Sequence, residues 1–231
     1  MNRQLGVRWA AEAAGTAVLV GVGTGAVGAA TKFGGVAQAW MATAGFLAVL
    51  IPILLFVEVS GAHLNPAVTL ALAASGRIAW AEVPSYWLGQ LSGAFVGSAC
   101  VLALLGDVGY RGATVPTNGQ LGLAFGGEAV FTASLVSAVF LLADQGVGRL
   151  RWRLLLPPLA VGVATYLIGP LTGSSLNPAR TIAPAVFSGT FTDLWVYLVA
   201  LPLGALVVAL LWRPRSVDRA DRGPGRTDAS S

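Results

Sequence analysis

The chain has 231 residues, 55% of them hydrophobic and only 10% charged, with a mean hydropathy of +0.74. A soluble domain carries about a quarter charged residues, so a water-soluble fold is excluded and lipid is the expected solvent. The net charge of +4 and pI near 9.8 would suggest nucleic acid in a soluble chain, but the basic residues sit in loops and the tail, where they read as a topology signal.

Six apolar runs reach the roughly 20 residues a spanning helix needs: 9–30, 39–59, 83–105, 121–143, 154–171 and 194–212. The first follows arginines, as a signal peptide does, but it is too long and lacks a convincing cleavage site, so it is kept as a helix. Pro52 in the second run reads as a kink without chemistry. In the third, Gly89, Gly93 and Gly97 recur every fourth residue, a face for close helix contact inside one protomer. The single cysteine, Cys100, reads as a packing residue. An even number of spans puts both ends on one side. That side would carry Arg3, Arg8, Arg77, Arg149, Arg151, Arg153 and the five arginines after residue 212, eleven of the 14 Lys+Arg, against Lys32, Arg111 and Arg180. Both termini are therefore expected in the cytoplasm. The tail, 213–231, rich in Arg, Asp, Gly and Ser, is expected to be disordered.

Two further apolar segments, 66–75 and 178–188, are too short to span. About ten helical residues reach roughly 15 Å, half of the hydrocarbon core, so they are expected as half-helices. Each opens with the same words: Leu64-Asn65-Pro66-Ala67 and Leu176-Asn177-Pro178-Ala179, 112 residues apart. Glu12 and Glu128, which begin the first and fourth runs, stand 116 residues apart. The chain thus reads as one domain over 1–212, made of two repeats near 9–106 and 121–212. Three spans per repeat invert the second copy, which places a site at the midplane. Proline favours the first helical position, so Asn65 and Asn177 are expected as N-caps. Each half-helix would then aim its positive end inward, at a polar lumen, because irregular backbone at that depth needs protein or water around it.

The paired Asn-Pro-Ala boxes, the stretch "SGAHLNPAVT", Arg180 directly after the second box, and the two glutamates resemble the aquaporin, or major intrinsic protein, family over nearly the whole chain apart from the tail. The resemblance implies an all-α, right-handed bundle of six transmembrane helices plus two half-helices, assembled as a homotetramer with a pore in each protomer, in the cell (inner) membrane; the small, Gly- and Ala-rich, loop-poor chain has a bacterial composition. It implies a passive channel for water and small uncharged solutes, with protons and ions excluded. Asn65 and Asn177 would donate to passing molecules, Arg180 would supply a fixed cation near the outer mouth, and Glu12 and Glu128 would brace the half-helix loops. His63 would be a pore-lining hydrogen bonder rather than a pH gate. No cofactor or metal is implied.

Counting from the boxes as the family does, the constriction would be formed by Gly45, Thr165, Ser174 and Arg180. Strict water channels place an aromatic ring at the first position and usually histidine at the second. Glycerol channels carry two aromatics. Here both patterns are missing, and Thr181 and Ala185 lack the acidic and basic residues typical of the glycerol group. The set most resembles small-residue filters for metalloid acids, urea and similar solutes. The alternative is a strict water channel in which Phe46 or Tyr166 swings in to fill the space. A secondary transporter is the rival from another class, since inverted repeats with broken helices serve transporters too, and a closed-pore scaffold comes last. Glu58 has two readings, a vestibule acid or a solvated helix end. No catalytic constellation is present in the sequence, so an enzyme is not expected.

Overall fold

The computed structural model describes residues 3–34, 38–108, 112–144 and 151–212. Arg111, Arg149 and the tail 213–231, on which part of the charge argument and the disorder expectation rest, lie outside the described residues.

Helices account for every long element: α1 (Arg3–Phe33), α2 (Gln38–Ser60), α3 (Pro66–Ala74), α4 (Val83–Leu105), α5 (Leu121–Ala143), α6 (Leu156–Thr172), α7 (Pro178–Ser188) and α8 (Leu194–Leu211). Six of them are long and apolar enough to cross a bilayer. The helix α1 begins two turns before its apolar run, and Arg8 in that extension pairs with Glu82 at 2.6 Å. At the start of α6, Pro157 and Pro158 follow a single 3-10 turn, Arg151–Leu155, where missing N–H groups cost nothing. Pro52 is buried inside α2, opposite Gly15 of α1; a Cβ added there would lie 3.3 Å from the proline ring.

The two halves use matching contacts. The α1–α4 pair corresponds to α5–α8, and α1–α2 to α5–α6, while α2 and α6 meet between the halves. The glycine stripe of α4 lies against α1 as expected: a Cβ on Gly93 would overlap the backbone of Ala13. Its counterpart in the second half is Gly204, where a Cβ would overlap the backbone of Ala129.

The half-helices are exchanged. Half-helix α3 packs chiefly on α8, and α7 on α4. The hydrophobic cores follow this exchange. One joins Ala67, Val68, Ala71 and Leu72 of α3 to α5, α6 and α8. The other joins Ala179 and Ala183 of α7 to α1, α2 and α4. Each repeat therefore closes its core around the other repeat's half-helix.

Cys100 does not pack into this core. It is exposed on the outer face of α4, whose buried face carries Gly93, Ala94, Gly97, Ser98 and Val101. The helical period turns residue 100 away from that stripe.

Candidate pore and its constrictions

The loops Gly61–Leu64 and Gly173–Leu176 precede the half-helices, and their backbones match. Positive φ occurs at Gly61 (85°), Ala62 (47°) and Leu64 (55°), and again at Gly173 (77°), Ser174 (46°) and Leu176 (54°). Left-handed backbone is costly for residues with a Cβ, so something must hold it. Two buried carboxylates do. Glu12 accepts from the His63 N–H at 2.9 Å, the Leu64 N–H at 2.6 Å, the Ser60 hydroxyl at 2.6 Å and the Gln90 amide at 2.8 Å. Glu128 accepts from the Ser175 and Leu176 N–H groups, both at 2.9 Å, and from the Thr172 hydroxyl at 2.7 Å. Leu201 stands in α8 where Gln90 stands in α4, so Glu128 lacks that fourth donor. Two tyrosines finish the brace: Tyr86 donates to Ser60 O at 2.7 Å and Tyr197 to Thr172 O at 2.6 Å. Sequence reasoning passed over both tyrosines and Gln90, although Tyr86 and Tyr197 stand 111 residues apart, almost the box offset.

Asn65 and Asn177 cap their half-helices. Asn65 Oδ1 accepts the Ala67 N–H at 2.9 Å; Asn177 Oδ1 accepts those of Ala179 at 2.9 Å and Arg180 at 3.4 Å. Each amide nitrogen also crosses to the opposite loop: Asn65 Nδ2 donates to Leu176 O and Asn177 Nδ2 to Leu64 O, both at 2.7 Å. An amide NH2 has two hydrogens. One is taken by the carbonyl, and the second is left for the cavity of about 50 Å³ that both asparagines line. The rest of that cavity is mainly aliphatic, with Leu19, Val49, Ile53 and Val161 among its walls. A small molecule in that cavity would face two donors on a largely aliphatic wall.

On one side of the asparagines lies a cavity of about 60 Å³ lined by all four expected constriction residues, Gly45, Thr165, Ser174 and Arg180, together with Met41. A Cβ on Gly45 would come within 2.8 Å of Thr165 Oγ1, so the threonine hydroxyl occupies the space that a side chain at position 45 would need. Thr165 Oγ1 also reaches Ser174 Oγ at 3.4 Å. Arg180 is buried, and its Nη1 donates to Gly112 O at 2.6 Å. Gly112 has φ +75°, and a Cβ there would lie 2.5 Å from Thr24 Cβ, so only glycine fits where this carbonyl is presented. The sequence offered no signal for Gly112.

Phe46 and Tyr166 do not enter the lumen. They line an outward groove between α2 and α6, and Tyr166 is 52% exposed. Adjacent helical residues point about 100° apart, so facing Gly45 and Thr165 inward turns their neighbours away.

On the other side of the asparagines the lumen opens into a polar vestibule of about 640 Å³. His63 lines both this vestibule and the central cavity. Its ring stacks on Tyr86 at 4.3 Å, and Nδ1 lies 3.2 Å from Thr69 Oγ1. Ser175 takes the equivalent place in the second half and pairs with Thr181 Oγ1. Glu58 is exposed and lines the vestibule, near the Arg8–Glu82 ion pair. Arg77, another vestibule residue, donates to both oxygens of Asp144 at 2.8 Å and to Trp212 O at 3.2 Å, tying the end of α3 to α5 and α8.

A vestibule, a two-donor midpoint and a cation-lined constriction, strung through one helical protomer, define a membrane channel. The comparisons place it further. The family profile described as major intrinsic protein matches residues 4–212. The chain is 35% identical to aquaporin NIP2-3 of Zea mays over 207 residues, 87% of this chain and 67% of that protein. It is 34% identical to a probable NIP-type aquaporin of Nicotiana alata over 230 residues, 95% of this chain and 82% of that one. Among solved structures, the aquaglyceroporin of Plasmodium falciparum matches with a TM-score of 0.77 and 27% identity, covering 90% of this chain and 95% of that chain. The chain belongs to the major intrinsic protein family. It is a multi-pass membrane protein and a channel for water and small neutral solutes.

Proposed function

We propose that this pore conducts water together with small hydroxylated or amide-bearing solutes of the metalloid-acid, urea and glycerol class, and excludes ions and protons. The observation that carries the solute range is the constriction: Gly45, Thr165 and Ser174 place only small groups opposite the buried Arg180. Hydroxyls and a guanidinium suit a solute with several oxygens, and the fixed positive charge opposes cations. At the midpoint, Asn65 and Asn177 each offer one N–H at the positive end of a half-helix. A water whose oxygen accepts from both asparagines must turn its hydrogens outward, which interrupts a proton relay.

Two alternatives lose support. A strict water channel needs a ring in the constriction, and the two nearest aromatics face outward. A proton- or ion-coupled transporter needs a midplane carboxylate with open coordination, whereas the two oxygens of Glu12 accept four hydrogen bonds.

The reading extends to assembly and topology. The channel unit is residues 1–212 in two inverted halves, it works as a homotetramer as its family resemblance implies, and both termini face the cytoplasm, supported by the arginine distribution.

Stopped-flow light scattering on proteoliposomes tests the function. Shrinkage in an impermeant osmolyte measures water, and reswelling in glycerol, urea and boric acid measures solutes. Fast shrinkage with fast reswelling is expected; fast shrinkage alone would leave a water channel.

A further inference from the structure

Thr165 is held from behind. Pro170, inside α6, has no N–H, so the carbonyl of Tyr166 has no helical donor four residues on. Gln38, in the first turn of α2, supplies one. Its Nε2 donates to Thr165 O at 2.6 Å and to Tyr166 O at 3.2 Å, using both amide hydrogens. The space beside it is filled: a Cβ on Gly169 would lie 3.3 Å from Gln38 Nε2, 3.7 Å from Thr165 Cγ2 and 4.0 Å from Ser174 Cβ. Seven residues further along the same face of α2, Gly45 meets the Thr165 hydroxyl. The second helix thus grips α6 at two levels, on the backbone through Gln38 and on the side chain through Gly45.

We propose that Gln38 is a positioning residue that sets the width of the outer constriction by fixing the backbone of Thr165 at the proline break in α6. The proposal rests on the reading above that Thr165 lines the filter. A helix missing one backbone bond at a proline bends readily there, and a bend at Tyr166–Pro170 that breaks the 3.4 Å contact of Thr165 with Ser174 widens the constriction. Gln38 removes that freedom without touching the solute.

The test measures water, urea, glycerol and erythritol permeability in proteoliposomes for Gln38→Leu, Gln38→Glu, Thr165→Val and Gln38→Leu combined with Pro170→Ala. Gln38→Leu is expected to raise the glycerol-to-water and erythritol-to-water ratios about threefold while water flux is retained, the scale of one lost coupling between groups in contact. Pro170→Ala returns an N–H to Tyr166 O and is expected to bring the ratios of the double variant back toward the starting protein, a rescue that a general loss of stability would not show. Gln38→Glu has the same length but no amide hydrogens; it should repeat the leucine result, and it decides the matter if the leucine variant does not fold. Unchanged ratios in the Gln38 variants, with a shift in Thr165→Val, would overturn the proposal and leave the filter reading standing. A uniform fall of water and solute flux at constant ratio would also overturn it. Unchanged ratios in Thr165→Val would overturn the filter reading and the proposal with it.

Discussion

Asn65 and Asn177 are tied reciprocally across the midplane: each amide nitrogen donates at 2.7 Å to the carbonyl of the leucine that precedes the other asparagine. The two half-helix ends are thereby locked to one another, and each side chain keeps a single free hydrogen. The same bond that orients the amide also limits what it can offer the lumen.

Replacing either asparagine by aspartate removes both amide hydrogens and places an acceptor against a buried carbonyl. Asn177→Asp is expected to destabilise the fold by about 1–3 kcal/mol, the cost of an unmet buried polar group, and to reduce water flux. Thermal unfolding in detergent and osmotic shrinkage check the two effects; a variant with unaltered stability would show that the crossing bond contributes nothing.

The glutamate braces are unequal, which predicts an order. In Glu12→Gln one oxygen becomes an NH2 that must face N–H or O–H donors, with four donors converging on the side chain. Glu128→Gln meets three. Both should lose stability, by about 1–3 kcal/mol for each donor left unmet, and Glu12→Gln should lose more. Comparing the two melting temperatures decides it, and the reverse order would contradict the brace as described.

At Gly45 even a methyl group is expected to matter, because its Cβ would sit 2.8 Å from Thr165 Oγ1. Gly45→Ala should push the threonine toward the lumen and lower glycerol and urea flux relative to water. Gly45→Phe should go further, suppressing solute flux while sparing water. Persistence of solute flux in the phenylalanine variant would mean that position 45 does not control the passage.

Arg180→Val should admit cations or larger solutes, since it removes the fixed charge. Gly112→Ala is expected to give a weaker version of the same phenotype: its Cβ would meet Thr24, shifting the carbonyl that holds Arg180 Nη1. Ion conductance alongside solute uptake measures both, with Thr24→Gly, which removes the clashing Cβ, as a relieving second change. If Gly112→Ala retained full selectivity, the carbonyl would not be what positions the guanidinium.

The glycine contacts between paired helices should be the least tolerant of size. Gly93→Leu and Gly204→Leu each force a side chain into a neighbouring backbone, at Ala13 and Ala129, and overpacking of this kind costs about 1–3 kcal/mol or more. Loss of folded protein after detergent extraction is the expected readout for both.

Much of the site was readable from residues because its devices are local. A proline after an asparagine starts a helix wherever it stands, so both caps lie where the boxes put them. The spans at 83–105 and 121–143 match their helices end to end, since bilayer thickness and hydropathy set them. Cys100 is different: apolarity says that a residue leaves water, but not whether it meets protein or lipid. Phe46 and Tyr166 failed as pore residues for a related reason. Their identity suggested a plug, while the helical phase fixed by Gly45 and Thr165 aims them outward.

By itself the sequence determined the solvent, the six spans, the two half-helices and their caps, which follow from composition and short-range backbone chemistry, whereas the candidate constriction residues came from the family resemblance. Only the tertiary structure decided the exchange of half-helices between cores, the four-donor brace on Glu12, the Gly112 carbonyl under Arg180 and the grip of Gln38 on the proline break. These join atoms far apart in the chain, and which donor reaches which acceptor depends on how the helices cross, a quantity that no local pattern contains.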